Sequence, residues 1–211
     1  MNKRLSLLTA ALLLTGASSA FAMSSTDLTV TGIITPGACT PTLANSGVVD
    51  FGKIPAKDLQ PTTHTRLDDK TIQLTVNCDA SKQFAISFMD QRENTASEGG
   101  NWAFGLGLTS ANEKLGRYRL GFRNPVADTS VTTMWSGDKG VTWAPFLESH
   151  VTGRDQWIAF GSATGGVWTP DFLQAVTVDI TLNTAIAPAN SLTLTDEVAL
   201  DGSATLQIEY I

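Results

Sequence analysis

The sequence predicts an all-β fold, an antiparallel β-sandwich. Five segments alternate apolar and polar residues at every second position, a period that buries one face of a strand and leaves the other in water. Glycines and prolines fall between these segments and act as turn signals. Helical periodicity is scarce, and only residues 110–116 fit a single turn, capped by Ser110 and stopped by Gly116. Short strands with frequent turns are typical of a sandwich.

The alternating segments are spread over the whole chain. In order, their apolar positions are Leu28, Val30, Gly32 and Ile34; Ile72, Leu74 and Val76; Phe84, Ile86 and Phe88; Val176, Val178, Ile180 and Leu182; and Leu206, Ile208 and Tyr210. Between about residues 90 and 170 the chain is rich in glycine and holds all five tryptophans. We therefore expect an elaborated Gly- and Trp-rich middle region, built as long structured loops or an inserted hairpin within one domain.

The first residues have the pattern of an export signal. Lys3 and Arg4 precede an apolar run over residues 5–14, and the small-x-small ending Ala20-Phe21-Ala22 predicts cleavage after residue 22. The apolar run is too short for a membrane span. We expect a signal peptide at 1–22, export to the periplasm and no membrane insertion.

Charge and cysteine content limit the function classes. Without residues 1–22, 12 Lys and Arg stand against 20 Asp and Glu, a formal charge of −8, so nucleic acid is not an expected partner. Cys39 and Cys78 are the two cysteines, and an exported chain favours a disulfide between them. On the chain-entropy model, such a bridge disfavours the unfolded state by about 4 kcal/mol.

Several short stretches, taken in order, resemble the pilin family of chaperone–usher fimbriae of Gram-negative bacteria. After the signal come the alternating segment with its glycine, the first cysteine, "VVDFGKIPAKDL" (48–59), "IQLTVNC" (72–78) and a last strand with tyrosine second from its end. Within that family, "FGLGLTSANEKLGRYRLGF" (104–122) looks most similar to the DUF1120 group of pilin-like proteins.

The resemblance implies an incomplete immunoglobulin-like sandwich that lacks its last strand. It implies an N-terminal extension at 23–35 that donates a strand through Leu28, Val30, Gly32 and Ile34, followed by a pilin-like domain at 36–211. It also implies that Leu206, Ile208 and Tyr210 line the edge that a periplasmic chaperone pairs with. The other implied partners are an outer-membrane usher and further fimbrial subunits.

The opening segment has two interpretations on its residues alone. An unpaired sheet edge is a template for strand addition, and a glycine in the donated strand lets the two backbones approach closely. The alternative is an ordinary first strand that pairs within its own chain. The pilin resemblance favours the intermolecular interpretation, and we expect a structural, adaptor or minor subunit of a cell-surface fimbria.

Enzyme motifs are absent from the sequence. There is no HExxH, P-loop, GxSxG or EF-hand pattern, and neighbouring carboxylates such as Asp68 and Asp69 would point to opposite faces of a strand. His64 and His150 are expected to be surface residues. We therefore predict a protein that is not an enzyme and has no cofactor and no metal site.

The tryptophans support an alternative function, a secreted carbohydrate- or surface-binding module. Trp143 and Trp168 lie beside prolines or glycines in loop-like contexts, where an exposed indole could stack on a surface glycan. Trp102, Trp135 and Trp157 are expected to be core residues, because aromatic side chains carry a large apolar area.

Overall fold

The computed structural model describes residues 26–32 and 37–211. The predicted signal peptide and Ile34 lie outside these described residues. In the described ranges, no helix is long and apolar enough to cross a membrane. The helical content there consists of 3-10 turns at Ala44–Gly47, Ala56–Asp58, Gly100–Trp102 and Ala189–Ser191.

Twelve strands form the body of the structure. They are β1 (Cys39–Leu43), β2 (Thr65–Arg66), β3 (Lys70–Lys82), β4 (Phe84–Asp90), β5 (Phe104–Gly105), β6 (Gly116–Ala127), β7 (Thr132–Ser136), β8 (Ala144–Pro145), β9 (Trp157–Thr164), β10 (Val167–Pro170), β11 (Leu173–Ile186) and β12 (Ala204–Tyr210).

The strands form two antiparallel sheets, which confirms the predicted β-sandwich. The first sheet has the order β1-β3-β11-β6-β5, with β2 also pairing with β11. The second has the order β12-β4-β9-β7-β8, with β10 also pairing with β9. An immunoglobulin constant-type sandwich places strands A, B, E and D in one sheet and C, F and G in the other. In this structure, β1, β3, β11 and β6 correspond to A, B, E and D, and β4 and β12 correspond to C and F. The described strands include no counterpart of G.

The predicted inward faces of β3 and β4 are buried between the two sheets. Ile72, Leu74 and Val76 of β3 alternate with wetter neighbours, as a half-buried strand requires. Phe88 meets Phe122 with ring centroids 5.5 Å apart, and Phe122 meets Phe146 edge-on at 5.8 Å. Such aromatic pairs stabilise a core beyond the area that they bury.

The expectation of one wet face per strand is wrong for β4. Ala85 points away from the main core, yet it is fully buried together with Met134 of β7 and Ala159 of β9. Trp143, Trp157 and Trp168 pack against these three residues and cover the outer face of the second sheet. The tryptophans of the middle region thus build a second, smaller apolar layer.

The expected helical turn at 110–116 is also wrong. The Thr109 amide donates to the Glu113 carbonyl at 2.8 Å, and Leu108 bridges Lys114 in antiparallel register. Asn112 has a φ of 61°, the left-handed conformation that a tight turn requires. The segment is therefore the tip of a hairpin, and Gly116 begins β6 instead of ending a helix.

Candidate functional site: the open edge of the sandwich

Two strands at the same side of the sandwich leave an edge unpaired. In the described part of the chain, β1 pairs only with β3, and β12 pairs only with β4. The Cys39 backbone amide donates to the Tyr210 hydroxyl at 2.7 Å, so the start of β1 meets the end of β12. An edge with free N–H and C=O groups is a template for another strand. The edge of the sandwich therefore lies between β1 and β12.

A cavity of about 260 Å³ opens between these edge strands. Both sheets line it with apolar side chains, including Leu43, Ile72, Phe88, Leu120, Ile180 and Leu206. Well-packed interiors contain few voids larger than a water molecule. A cavity of this size at the interface of the two sheets therefore marks a place where the core is not filled.

The inward residues of β12 are less buried than the partners they face. Ile208 lies opposite Ile86, and Leu206 lies opposite Phe88, in the β12–β4 register. Ile86 and Phe88 are buried, whereas Leu206 and Ile208 are only half-buried. Tyr210, the last of the predicted chaperone-pairing residues, is 53% exposed. This gradient agrees with the sheet order, in which no strand of the described residues pairs with the free edge of β12.

A second, larger cavity of about 640 Å³ lies between two irregular segments, 49–59 and 192–200. Leu59, Leu115, Ile186 and Leu192 contribute apolar walls. An exposed ion pair between Lys53 and Glu197 at 2.9 Å connects the two segments. Exposed pairs of this kind contribute little to stability, so the segments are not locked together by it.

The segment that leads into β12 is held more firmly. Arg92 donates two hydrogen bonds to the Asp201 carboxylate, each 2.8 Å long, and they hold the pKa of Asp201 below its usual value. Glu113 accepts from the backbone amide and hydroxyl of Thr193 at 2.6 and 2.8 Å, which lowers its pKa. Sequence reasoning missed these residues, since the partners lie far apart in the chain and no local motif marks them.

Tyr118 adds a polar group to the lining of the first cavity. Burial raises the pKa of this phenol well above its usual value, so it is neutral at physiological pH. Its ring stacks on Phe104 at a centroid distance of 5.2 Å. The lining of the cavity is therefore uncharged, and it suits apolar side chains.

The predicted donor segment is exposed where the structure describes it. Residues 26–32 form no strand, and Leu28 and Val30 are 89% and 88% exposed. A Cβ added at Gly32 would meet no atom within 4 Å. Ile34, the fourth predicted donor residue, lies outside the described residues. The described segment thus carries apolar side chains that bury little surface.

The predicted disulfide is confirmed. Cys39 and Cys78 form the bridge, and they are also direct partners in the β1–β3 register. The bond fixes the first edge strand to the central part of its sheet. It therefore holds one wall of the open edge in place, independently of any residue that later fills it.

The structure contradicts the core prediction for Trp102 and the loop-like context of Trp168. Trp102, expected in the core, is 48% exposed. Trp168 lies in strand β10 instead of a loop, and both Trp143 and Trp168 are half-buried against the outer layer of the second sheet. Both indoles pack against this layer, and their stacking on a glycan stays a prediction.

The two histidines are half-buried, in contrast to the expectation of surface residues. His64 Nε2 lies 2.9 Å from the Ser97 hydroxyl, and its Nδ1 lies 3.5 Å from Glu98. Burial alone would raise the pKa of Glu98, but hydrogen bonds from Arg117 and the nearby positive charge hold it below its usual value. Among residues 26–32 and 37–211, no group of three or more His, Cys, Asp or Glu residues could hold a metal ion.

Comparison with known proteins gives a family match and full-length relatives. A model of the family described as "Protein of unknown function (DUF1120)" matches residues 28–103, from the predicted donor segment to the middle region. The match ends before 104–122, the stretch that suggested this group in the sequence. Membership of the wider fimbrial family stays a prediction.

Two relatives come from Escherichia coli (strain K12). "Protein GltF" is 26% identical, with 92% of each chain covered. "Uncharacterized protein YhcF" is also 26% identical, and the alignment covers 94% of this chain and 98% of that protein. Neither name states an activity.

Proposed function

We propose that this chain is a structural or adaptor subunit of a cell-surface fimbria, assembled by strand addition. The open edge between β1 and β12 takes up the segment around residues 28–34 of a neighbouring copy or of another subunit. The observation that carries this proposal is the apolar cavity between β1 and β12, each of which pairs with a single neighbour among residues 26–32 and 37–211. The segment at 26–32 exposes Leu28 and Val30, the side chains that such an added strand would bury.

The energetics support the proposal when the groove is already formed. Burial of Leu28, Val30 and Ile34 contributes about 1.5–3 kcal/mol each, as an upper estimate. Each main-chain hydrogen bond adds about 0.5–1.5 kcal/mol. Ordering the strand costs about 1–2 kcal/mol per backbone residue. A preformed acceptor makes the balance favourable, because only the incoming strand then has to be ordered.

The same edge is where a periplasmic chaperone would protect the subunit before assembly. Leu206 and Ile208 are half-buried in β12, so a strand laid along that edge would complete their burial. An exposed, half-covered edge of this kind promotes uncontrolled aggregation, which a chaperone strand would prevent. An outer-membrane usher would then exchange the chaperone strand for the segment of the next subunit. Export and a cell-surface location are part of this proposal.

The test compares the exported chain with and without residues 23–35. The full form is expected to build multimers that resist detergent and fall apart on heating. The truncated form is expected to stay monomeric and to bind a peptide of residues 24–35. If the truncated chain is unfolded and the peptide does not restore its fold, the segment belongs to its own sheet and the proposal fails.

The alternative of a glycan-binding module based on Trp143 and Trp168 is not favoured. Both side chains cover Ala85, Met134 and Ala159, so stacking on a sugar would require them to leave that layer. No further observation at these two positions favours a ligand.

A further inference from the structure

A third cavity, of about 330 Å³, lies apart from the open edge and shares no lining residue with the two cavities there. Its walls come from the 3-10 turn at Gly100–Trp102, from β7 and from the segment 146–156. The side chains that matter are those of Trp102, Trp135, Phe146, His150 and Gln156. The volume is at the small end of the range for ligand pockets, which suits a ligand of one ring.

Gln156 is a buried polar side chain with a fixed orientation. It is only 8% exposed, and its Oε1 accepts a hydrogen bond from the Gly153 amide at 2.9 Å. This bond leaves the amide nitrogen as a donor, and that nitrogen has no hydrogen-bond partner in the portion of the chain that the structure describes. A buried amide with one satisfied end is pre-oriented to donate to a ligand oxygen.

His150 is oriented in a similar way. Its Nδ1 accepts a hydrogen bond from the Leu147 amide at 3.2 Å, and its ring stands edge-on to Phe146 at 5.6 Å. In the neutral imidazole, an accepting Nδ1 leaves the proton on Nε2. His150 therefore offers a second donor on the wall of the cavity.

The indoles of Trp102 and Trp135 supply apolar walls of the cavity. Trp102 is 48% exposed, although it lines a concave surface. The Nε1–H of Trp135 is buried and has no hydrogen-bond partner among residues 26–32 and 37–211. Because this donor is not accessible from the cavity, the indole of Trp135 contributes only an apolar wall.

We propose that this cavity binds a single neutral pyranose ring of a glycan. None of its lining residues is Asp, Glu, Lys or Arg, so an ionic ligand would find no countercharge. The oriented side-chain nitrogens of Gln156 and His150 are hydrogen-bond donors, and they favour a ligand that is rich in acceptor oxygens. The aromatic walls select a ligand with an apolar ring face. A pyranose combines both properties, and this site is independent of strand addition at the open edge.

The test is calorimetric titration of the full exported chain with methyl α-D-mannopyranoside, methyl β-D-galactopyranoside and N-acetylglucosamine, each to about 20 mM, which detects millimolar affinity. At least one is expected to bind. Trp102→Ala should weaken that binding by about tenfold or more, because the exposed ring wall is lost. Phe172→Ala is the matched control, since it truncates an exposed aromatic residue outside the cavity, and it should leave binding within about twofold.

A second variant tests the donor role directly. Gln156→Glu keeps the acceptor for the Gly153 amide and replaces the free donor with an acceptor, so binding should fall by about tenfold. If this variant does not fold, the comparison of Trp102→Ala with Phe172→Ala still tests whether the sugar binds in this cavity. The absence of binding by all three sugars, or binding that survives Trp102→Ala, would overturn the proposal. Multimer formation should be unchanged in Trp102→Ala, which separates this site from the open edge.

Discussion

The proposed donor segment leads to a prediction about its two faces. Substitutions on the face that carries Leu28 and Val30 should weaken its binding to the acceptor groove, and substitutions on the opposite face should not. Leu28 and Val30 are almost fully exposed in the single chain and would be buried in the acceptor groove. Leu28→Ala removes three carbons, worth about 2.4 kcal/mol at 0.8 kcal/mol per buried CH₂, or about 60-fold in affinity. Val30→Ala removes two carbons, worth about 1.6 kcal/mol or about 15-fold.

The assay is competition among synthetic peptides of residues 24–35 for the chain that lacks 23–35. Thr29→Ala and Thr31→Ala are the matched controls, because in an extended strand they point to the opposite face. The same substitutions in the full chain should change the free energy of unfolding of the single subunit by less than about 0.5 kcal/mol, since these side chains are exposed.

Two results would refute this reasoning. In the first, the peptides with Thr29→Ala or Thr31→Ala lose as much affinity as those with Leu28→Ala or Val30→Ala. This result would mean that the strand does not bind through one face. The other is a loss of about 2 kcal/mol or more of monomer stability in Leu28→Ala, the size expected for a core residue.

Three further predictions concern separate parts of the chain. Gly32→Val should leave the stability of the single chain unchanged, because a Cβ there meets nothing within 4 Å, but it should slow or block multimer formation, measured by gel shift. Rapid assembly of this variant would show that close backbone approach is not required. The double substitution of Cys39 and Cys78 by alanine should cost about 4 kcal/mol in urea unfolding, and a cost under about 1 kcal/mol would mean that the bridge does not constrain the unfolded chain. Hydrogen bonds from Thr142 and Ser136 lower the pKa of Asp138 to about 2. The pKa of Asp138 is lower in the folded chain than in the unfolded chain. This carboxylate therefore stabilises the loop at neutral pH, and its contribution is lost as the pH falls from about 4 to about 2. NMR titration of the Thr142 amide should give a midpoint near pH 2, and a midpoint near pH 4 would contradict the assignment.

The period-2 pattern predicted the inner faces of the long strands well. Residues such as Leu74, Ile86 and Val178 are buried because each strand has one face toward the partner sheet. Since that face is determined by local alternation, the sequence alone identifies it. The disulfide could also be predicted from the sequence, because the pattern of an export signal favours a disulfide and two cysteines leave a single pairing.

The outer layer of the second sheet could not be predicted in this way. Ala85 is buried only because tryptophans from distant segments cover it, and local alternation carries no information about such cover. The same holds for Arg92 and Asp201, which are 109 positions apart and form no recognisable motif. The cavity around Gln156 likewise depends on how three separate segments meet.

The open edge was only half predictable. Alternation identified β12, and the cysteines identified the region that contains β1, but neither specifies that the two strands face each other across an unfilled gap. That follows from the sheet orders and from the bond between the Cys39 amide and Tyr210. The tertiary arrangement, and not the local sequence, therefore defines this open edge.

Hydrogen exchange of the chain without 23–35, measured with and without the peptide of residues 24–35, tests strand addition at this edge most directly. Peptide binding is expected to slow exchange in β12 (Ala204–Tyr210), whose outer amides would become hydrogen-bonded. β10 (Val167–Pro170), another short strand that pairs with one neighbour in the described structure, should show no change. Slowed exchange in β12 with unchanged exchange in β10 would agree with the account. Unchanged exchange in β12, or equal protection of β10, would contradict it.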